Sequence, residues 1–280
     1  MAEKLEKNKT TLSILGCGWY GLPMAKTLVK KGYTVKGSTT TTSKLQKLEE
    51  AGIDAHLIDF DNSALSDEFF KCDVLLIAIP PRVNKPDALT YAQKVSLITE
   101  KALQHHVKNV MLISSTGIYP DDNFVVDETA IPIPNTPAGT ALLEAENILK
   151  SINGFTSTII RFAGLIGPER HLAKHFAGKA DIANGLAPIN LIHLEDCIGL
   201  TLTIIEKEQF GHTYHGVSPS HRTREDFYTK ACIASGLAKP SFLKEKKNWK
   251  QIESKNVPEV LAYEYVFTNW DKYFEMLTSV

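Results

Sequence analysis

Gly16, Gly18 and Gly21 stand in the spacing Gly-x-Gly-x-x-Gly, within Gly16-Cys17-Gly18-Trp19-Tyr20-Gly21. An apolar run, Thr11–Leu15, precedes them, and a helix-like stretch, Leu22–Lys31, follows. In that context each glycine has its own task. The first allows a tight turn, the second lets backbone approach a pyrophosphate, and the third lets the helix pack against the strand. The helix start adds N–H groups and the positive end of a dipole, both suited to phosphate. The implied chemistry is dinucleotide binding, with Trp19 and Tyr20 sharing the turn. Without a bound phosphate, the same spacing would serve only close packing of helix on strand.

The second place where residue types could do chemistry lies about 20 residues on, where an Asp or Glu would hold a free ribose 2′-OH. Here the chain reads Gly37-Ser38-Thr39-Thr40-Thr41-Thr42-Ser43-Lys44, with no carboxylate. The hydroxyls of Ser38, Thr39 and Thr40 can donate to a phosphate, and Lys44 adds a positive charge. The cofactor expected is NADP, with NAD the alternative. Read only as structure, the hydroxyl run is a helix cap and loop.

The elements that must position these groups follow from periodicity. Thr11–Leu15, Tyr33–Gly37, Ala55–Ile58, Asp73–Ala78, Asn109–Ser114 and Thr156–Arg161 are short apolar runs suited to buried strands. Leu22–Lys31, Leu89–His106 and Ala138–Lys150 between them are helix-like. The alternation predicts an α/β chain with a Rossmann-type, doubly wound parallel sheet. After Gly164 the pattern loosens into a loop-and-helix region to Pro188. A short strand (Ile189–Ile192), a helix opened by Glu195 and Asp196, and a helix over Arg222–Ser235 follow. The Lys-rich stretch Lys244–Lys250 reads as a solvated face or loop. The expected division is a dinucleotide-binding domain over 1–164 and a smaller α/β substrate region over 165–280. Segments near 189–196 and 214–217 return to the first domain.

Composition narrows the function classes. The 280 residues carry 31 Lys+Arg against 32 Asp+Glu, a formal net charge of −1, which is not the basic footprint of a nucleic-acid binder. No apolar run nears the ~20 residues needed to span a bilayer. Met1 to Thr10 carries Lys4, Lys7 and Lys9 with no apolar stretch, unlike a secretory signal. The 4 cysteines form no Cys-x-x-Cys, and no His/Cys/Asp/Glu group has metal-ligand spacing. The expectation is a cytoplasmic protein, monomer or homodimer, with a small-molecule substrate and no metal, nucleic-acid or membrane partner.

Two family resemblances begin here. Gly18 to Val35, with Gly21-Leu22-Pro23-Met24-Ala25, resembles the β-hydroxyacid dehydrogenases, as does Ile77-Ala78-Ile79-Pro80-Pro81. That resemblance implies a largely helical second half. From residue 109 the chain instead resembles the extended short-chain dehydrogenase/reductase superfamily, the group of nucleotide-sugar epimerases and dehydratases. The pieces are Leu112-Ile113-Ser114-Ser115-Thr116-Gly117-Ile118-Tyr119; Asp127-Glu128 before a Pro-rich segment; Arg161-Phe162-Ala163-Gly164-Leu165-Ile166-Gly167-Pro168; Asn190-Leu191-Ile192-His193-Leu194-Glu195-Asp196; and Tyr214-His215-Gly216-Val217. Their order is more specific than any one of them. The resemblance implies cofactor contacts at Asp59, Ala78, Ile79, Pro80, Ser114, Phe162, Ala163 and Gly164. It implies substrate contacts at Thr116, Arg161, Asn190 and His193, with a nucleotide sugar as the substrate class. Asp196 reads as a helix N-cap.

The superfamily's usual Tyr-x-x-x-Lys is missing. On the helix that should carry it, Ala138 and Leu142 occupy the two positions. No tyrosine lies between Tyr119 and Tyr214, no lysine or arginine between Lys108 and Lys150, and none of the 9 tyrosines has a lysine four residues later. Alanine and leucine transfer no proton. By resemblance Ser115 would hold the reacting oxygen, with Tyr119 the nearest phenol for acid–base work; Thr140 and Glu144 are weaker candidates. Three functions follow as expectations: an NADP-dependent oxidoreductase or epimerase on a sugar-like substrate, a catalytically inert NADP-binding sensor, and a β-hydroxyacid dehydrogenase-like reductase.

Overall fold

A computed structural model describes residues 10–60, 65–81 and 89–278. The lysine-bearing start of the chain, read above as no export signal, lies outside them. The elements in order are β1 (Thr11–Leu15), α1 (Gly21–Lys30), β2 (Thr34–Thr39), α2 (Leu45–Glu49), β3 (Asp54–Leu57), α3 (Asp67–Phe70), β4 (Val74–Ile77), α4 (Tyr91–Gln104) and β5 (Asn109–Ser115). Then come β6 (Phe124–Val126), α5 (Pro137–Ser151), β7 (Thr156–Phe162), β8 (Gly164–Ile166), β9 (Leu191–His193) and α6 (Leu194–Glu206). The last are β10 (Thr213–Gly216), α7 (Arg224–Ala234), β11 (Lys250–Ile252) and α8 (Asp271–Thr278).

Seven strands form one sheet in the order β10-β7-β5-β4-β1-β2-β3. The ladders β1–β2, β2–β3, β1–β4 and β4–β5 are all parallel. A parallel neighbour needs a crossover, and right-handed crossovers put helices on both faces once the strand order reverses. It reverses between β1 and β4. That is the switch point where open α/β sheets bind ligands, beyond the strands' carboxyl ends. The central strands are buried on both faces, so they read as continuous apolar runs: Leu12, Ile14 and Leu15 in β1, Leu75 to Ile77 in β4. Caps fix where the helices start. Thr90 and Gln93 form a reciprocal capping box on α4, and Thr136 accepts from Gly139 N–H at the head of α5 with Pro137 following.

The chain divides into two compact units. One takes the chain up to Ile118 with Pro134–Ile160 and Ile204–Thr213; the other takes Tyr119–Ile133, Arg161–Thr203 and the chain from Tyr214 onward. The second unit has its own core, built on Phe227, Phe267, Trp270 and Tyr273 from α7, α8 and the loop before α8. Two short parallel pairs, β8–β9 and β6–β11, brace it. Lys250, expected in a solvated run, opens β11, and its ammonium donates to the Tyr119 carbonyl at 2.6 Å.

Candidate functional site

The glycine turn lies at the switch point. A Cβ on Gly16 (φ +105°) would meet Ile79 Cγ2 at 3.0 Å and the Ala78 carbonyl carbon at 3.2 Å, so Gly16 closes directly on the end of β4. A Cβ on Gly21 would lie 2.1 Å from the Gly16 carbonyl oxygen, a backbone atom that cannot yield. Gly18 differs: nothing lies within 4 Å of a Cβ placed there, and the residue is exposed. Two glycines are demanded by packing and the third opens onto space. α1 has no acidic residue in its first turn and no side chain capping its start. An open glycine at an uncapped helix start fits a dinucleotide's phosphates.

The hydroxyl run divides in two. Ser38 is buried; its Oγ accepts from Gly16 N–H at 2.9 Å, and its carbonyl accepts from Cys17 N–H at 2.8 Å. Thr40 to Lys44 are exposed, while Thr39 is half-buried and takes Thr41 N–H on its hydroxyl at 3.2 Å. Asp59 lies two residues beyond β3, half-buried. Trp19 is half-buried, Tyr20 is buried, and Pro80 is exposed. Ala78 N–H donates to Leu15, and the Ile79 carbonyl accepts from the Tyr91 hydroxyl at 3.0 Å. Burial pushes the Cys17 thiol up to about 12, which favours the protonated form.

At the end of β5, Ser114 and Ser115 face different surroundings. Ser114 is buried and donates to Glu146 Oε1 on α5 at 2.6 Å. Ser115 is half-buried; its Oγ accepts from Gly117 N–H at 3.0 Å, which leaves its own hydrogen to donate onward. Thr116 is buried. On α5, Ala138 is half-buried and Leu142 is buried, while Thr140 and Glu144 are exposed.

The second unit holds a polar network that the sequence motifs do not announce. Tyr119, Arg161 and His215 are all buried, at 2%, 2% and 0% exposure. The Arg161 guanidinium donates to the Tyr119 hydroxyl, which lies 3.1 Å from His215 Nε2. His215 Nδ1 lies 2.9 Å from the Glu253 carbonyl, which can only accept, so Nδ1 carries the hydrogen. Burial holds the His215 pKa down, keeping the ring neutral, so Nε2 accepts from the Tyr119 O–H. The phenol's donor and an acceptor site are therefore both engaged inside the unit. Glu128 completes the arrangement, accepting from His215 N–H, the Ser254 hydroxyl and Lys255 N–H.

Other predicted contacts are likewise engaged. The Asn190 side chain donates to the Lys250 carbonyl at 2.9 Å and accepts from Ile252 N–H at 2.8 Å, clamping β11. Phe162 is buried against Gly216, Ala163 N–H donates to the Gly216 carbonyl, and Gly164 N–H donates to the Asn190 carbonyl. His193 is buried against the Phe267 ring, centroids 4.0 Å apart. Its Nδ1 accepts from Glu195 N–H at 3.2 Å, and desolvation pushes its pKa down to about 4. Asp196 is not an N-cap. It lies within the first turn of α6, where its carboxylate accepts from the Tyr263 hydroxyl, Val266 N–H and Phe267 N–H. Burial raises its pKa. Only the folded chain brings residues 263–267 to it. Among the described residues no group of three or more His, Cys, Asp or Glu could hold a metal, and no helix is long and apolar enough to cross a membrane.

A parallel sheet with a glycine turn at its switch point defines a Rossmann-type dinucleotide-binding protein. The chain belongs to the NAD(P)H-binding family, whose match covers residues 16–185. It is similar to Protein YeeZ of Escherichia coli (strain K12), 33% identical over 263 residues, or 91% of this chain and 96% of that protein; YeeZ of Escherichia coli O157:H7 matches equally. Among solved structures it resembles a functionally unknown conserved protein from Silicibacter pomeroyi (TM-score 0.80, 19% identity, 97% of this chain and 99% of that one). It also resembles UDP-glucuronic acid 4-epimerase from Bacillus cereus, solved with UDP-glucuronic acid and NAD (TM-score 0.80, 18% identity, 96% and 98%). UDP-glucose 4-epimerase from Thermotoga maritima, solved with UDP-glucose, gives TM-score 0.78, 17% identity, 96% and 97%. At these identities the likeness is one of fold. The chain shares the fold of these epimerases, and it lacks the Tyr-x-x-x-Lys pair of the superfamily its motifs resemble.

Proposed function

We propose that the chain is an NADP(H)-dependent oxidoreductase or epimerase acting on a sugar-like substrate, with NAD as the alternative cofactor. The observation that carries the cofactor half is Gly18, open to space at the uncapped start of α1 while its two partners are locked by packing. Exposed Thr40 to Lys44, with no carboxylate among them, support the preference for a 2′-phosphate. A bound nicotinamide supplies hydride transfer. Ser115 is the group to hold the reacting oxygen, since its hydroxyl keeps a hydrogen to donate. The sugar-like substrate rests on the fold shared with epimerases whose structures hold UDP-sugars.

A second reading, a dinucleotide sensor without catalysis, is favoured by one observation: the Tyr119 hydroxyl is engaged by Arg161 and His215. The β-hydroxyacid dehydrogenase reading is disfavoured, because its helical second half is replaced by β7 to β11. The test is titration with NADPH and NADH, then a screen of UDP-sugars with wild type and Ser115→Ala. Tighter NADPH binding, narrowed by Lys44→Ala, and a turnover lost in Ser115→Ala support the first reading. Cofactor binding with no turnover on any sugar supports the second.

A further inference from the structure

Ser38 heads the hydroxyl run, and by position it belongs with the donors to a 2′-phosphate. Its surroundings assign it elsewhere. It is 3% exposed, its Oγ takes Gly16 N–H at 2.9 Å, and its carbonyl takes Cys17 N–H at 2.8 Å. Two successive amides of the phosphate turn are thus tied to one residue of β2. The preceding residue makes this approach possible: a Cβ on Gly37 would lie 2.7 Å from Cys17 Sγ and 2.7 Å from Ile53 Cγ2. Gly37 and Ser38 form a receptor for Gly16 and Cys17, one giving room to the thiol and the other holding the backbone. Gly18 N–H then closes on the Gly16 carbonyl at 2.9 Å, so the placement of Gly18 depends on that of Gly16.

We propose that Ser38 is a positioning residue for the phosphate turn and not a contact to the cofactor's 2′ end, a proposal resting on the reading of Gly16–Gly21 as the dinucleotide site. Removing the hydroxyl leaves the Gly16 donor without its acceptor and loosens the turn that both dinucleotides share. A contact to the 2′-phosphate would matter to NADPH alone.

The experiment is calorimetric titration of wild type, Ser38→Ala and Ser38→Thr with NADPH and with NADH. The expected result is a loss of about tenfold in affinity for both dinucleotides in Ser38→Ala, with the NADPH:NADH ratio unchanged. The oxygen retained in Ser38→Thr restores most of that loss. A loss confined to NADPH overturns the proposal, as does unchanged affinity for both. Binding of neither dinucleotide by wild type is the failure of the underlying reading, seen before any variant is compared. Should Ser38→Ala not fold, amide hydrogen exchange on wild type decides: Gly16 and Cys17 amides exchange slowly if Ser38 holds them, and exchange at the rate of exposed loop amides overturns it.

Discussion

The Tyr119 hydroxyl is held inside the second unit by its own side-chain partners. It accepts from Arg161 and donates to His215, and the three side chains are buried together. Tyr119→Phe should cost about 1–3 kcal/mol of stability, since it removes partners from two buried groups. Urea unfolding measures this, with NADPH affinity expected within about twofold of wild type. Lost affinity at unchanged stability would mean that the phenol serves the ligand. His193 gives a pH-dependent counterpart. Its folded pKa is about 4, depressed from 6.5 by burial. Between those values the unfolded chain holds the extra proton, so stability rises with pH across the window and levels off above it. The gain is at most roughly 3 kcal/mol. Unfolding midpoints from pH 4 to pH 7 should climb in wild type and flatten in His193→Asn; equal slopes would refute the assignment.

At the scale of elements, the two kinds of glycine should part company. Gly21→Ala drives a methyl onto the Gly16 carbonyl, 2.1 Å away, so α1 must move off β1. We expect a loss of about 2 kcal/mol or more of stability together with cofactor binding. Gly18→Ala meets nothing in the protein, so its stability should stay within about 0.5 kcal/mol. Its NADPH affinity should nonetheless fall at least about tenfold, because the methyl occupies ligand space. Thermal unfolding beside titration separates the two variants. What the sequence made legible is also local. The runs Thr11–Leu15 and Asn109–Ser114 reappear as β1 and β5, because strands buried on both faces leave an unbroken apolar signature. The glycine turn was legible for the same reason, as strand, turn and helix are contiguous. Asp196 was not. It reads as a helix cap from its neighbours, yet its partners are 67 to 71 residues away. The Tyr119–His215 bond spans 96 residues, and no local spacing encodes it. Asn190 reads from sequence as a substrate contact within a short strand, and not as a clamp on β11, which local sequence does not signal as a strand.

At the scale of the molecule, the predicted dinucleotide contacts from Gly16 to Ser114, together with Ser115, fall in the first compact unit. Phe162, Ala163 and Gly164, also predicted dinucleotide contacts, fall in the second with Tyr119, Arg161, Asn190 and His193. The first unit keeps what a dinucleotide requires: an open glycine, an uncapped helix start and an exposed hydroxyl run without a carboxylate. In the second, the polar side chains of Tyr119, Arg161 and Asn190 are engaged with protein partners. Cofactor binding is therefore the central claim, with catalysis a separate question. Calorimetric titration of purified wild type and Gly18→Ala with NADPH and NADH tests it most directly. Saturable binding of one dinucleotide per chain, tighter for NADPH and weakened at least about tenfold in a fully folded Gly18→Ala, is the predicted result. Binding of neither dinucleotide, or undiminished binding by Gly18→Ala, would contradict it.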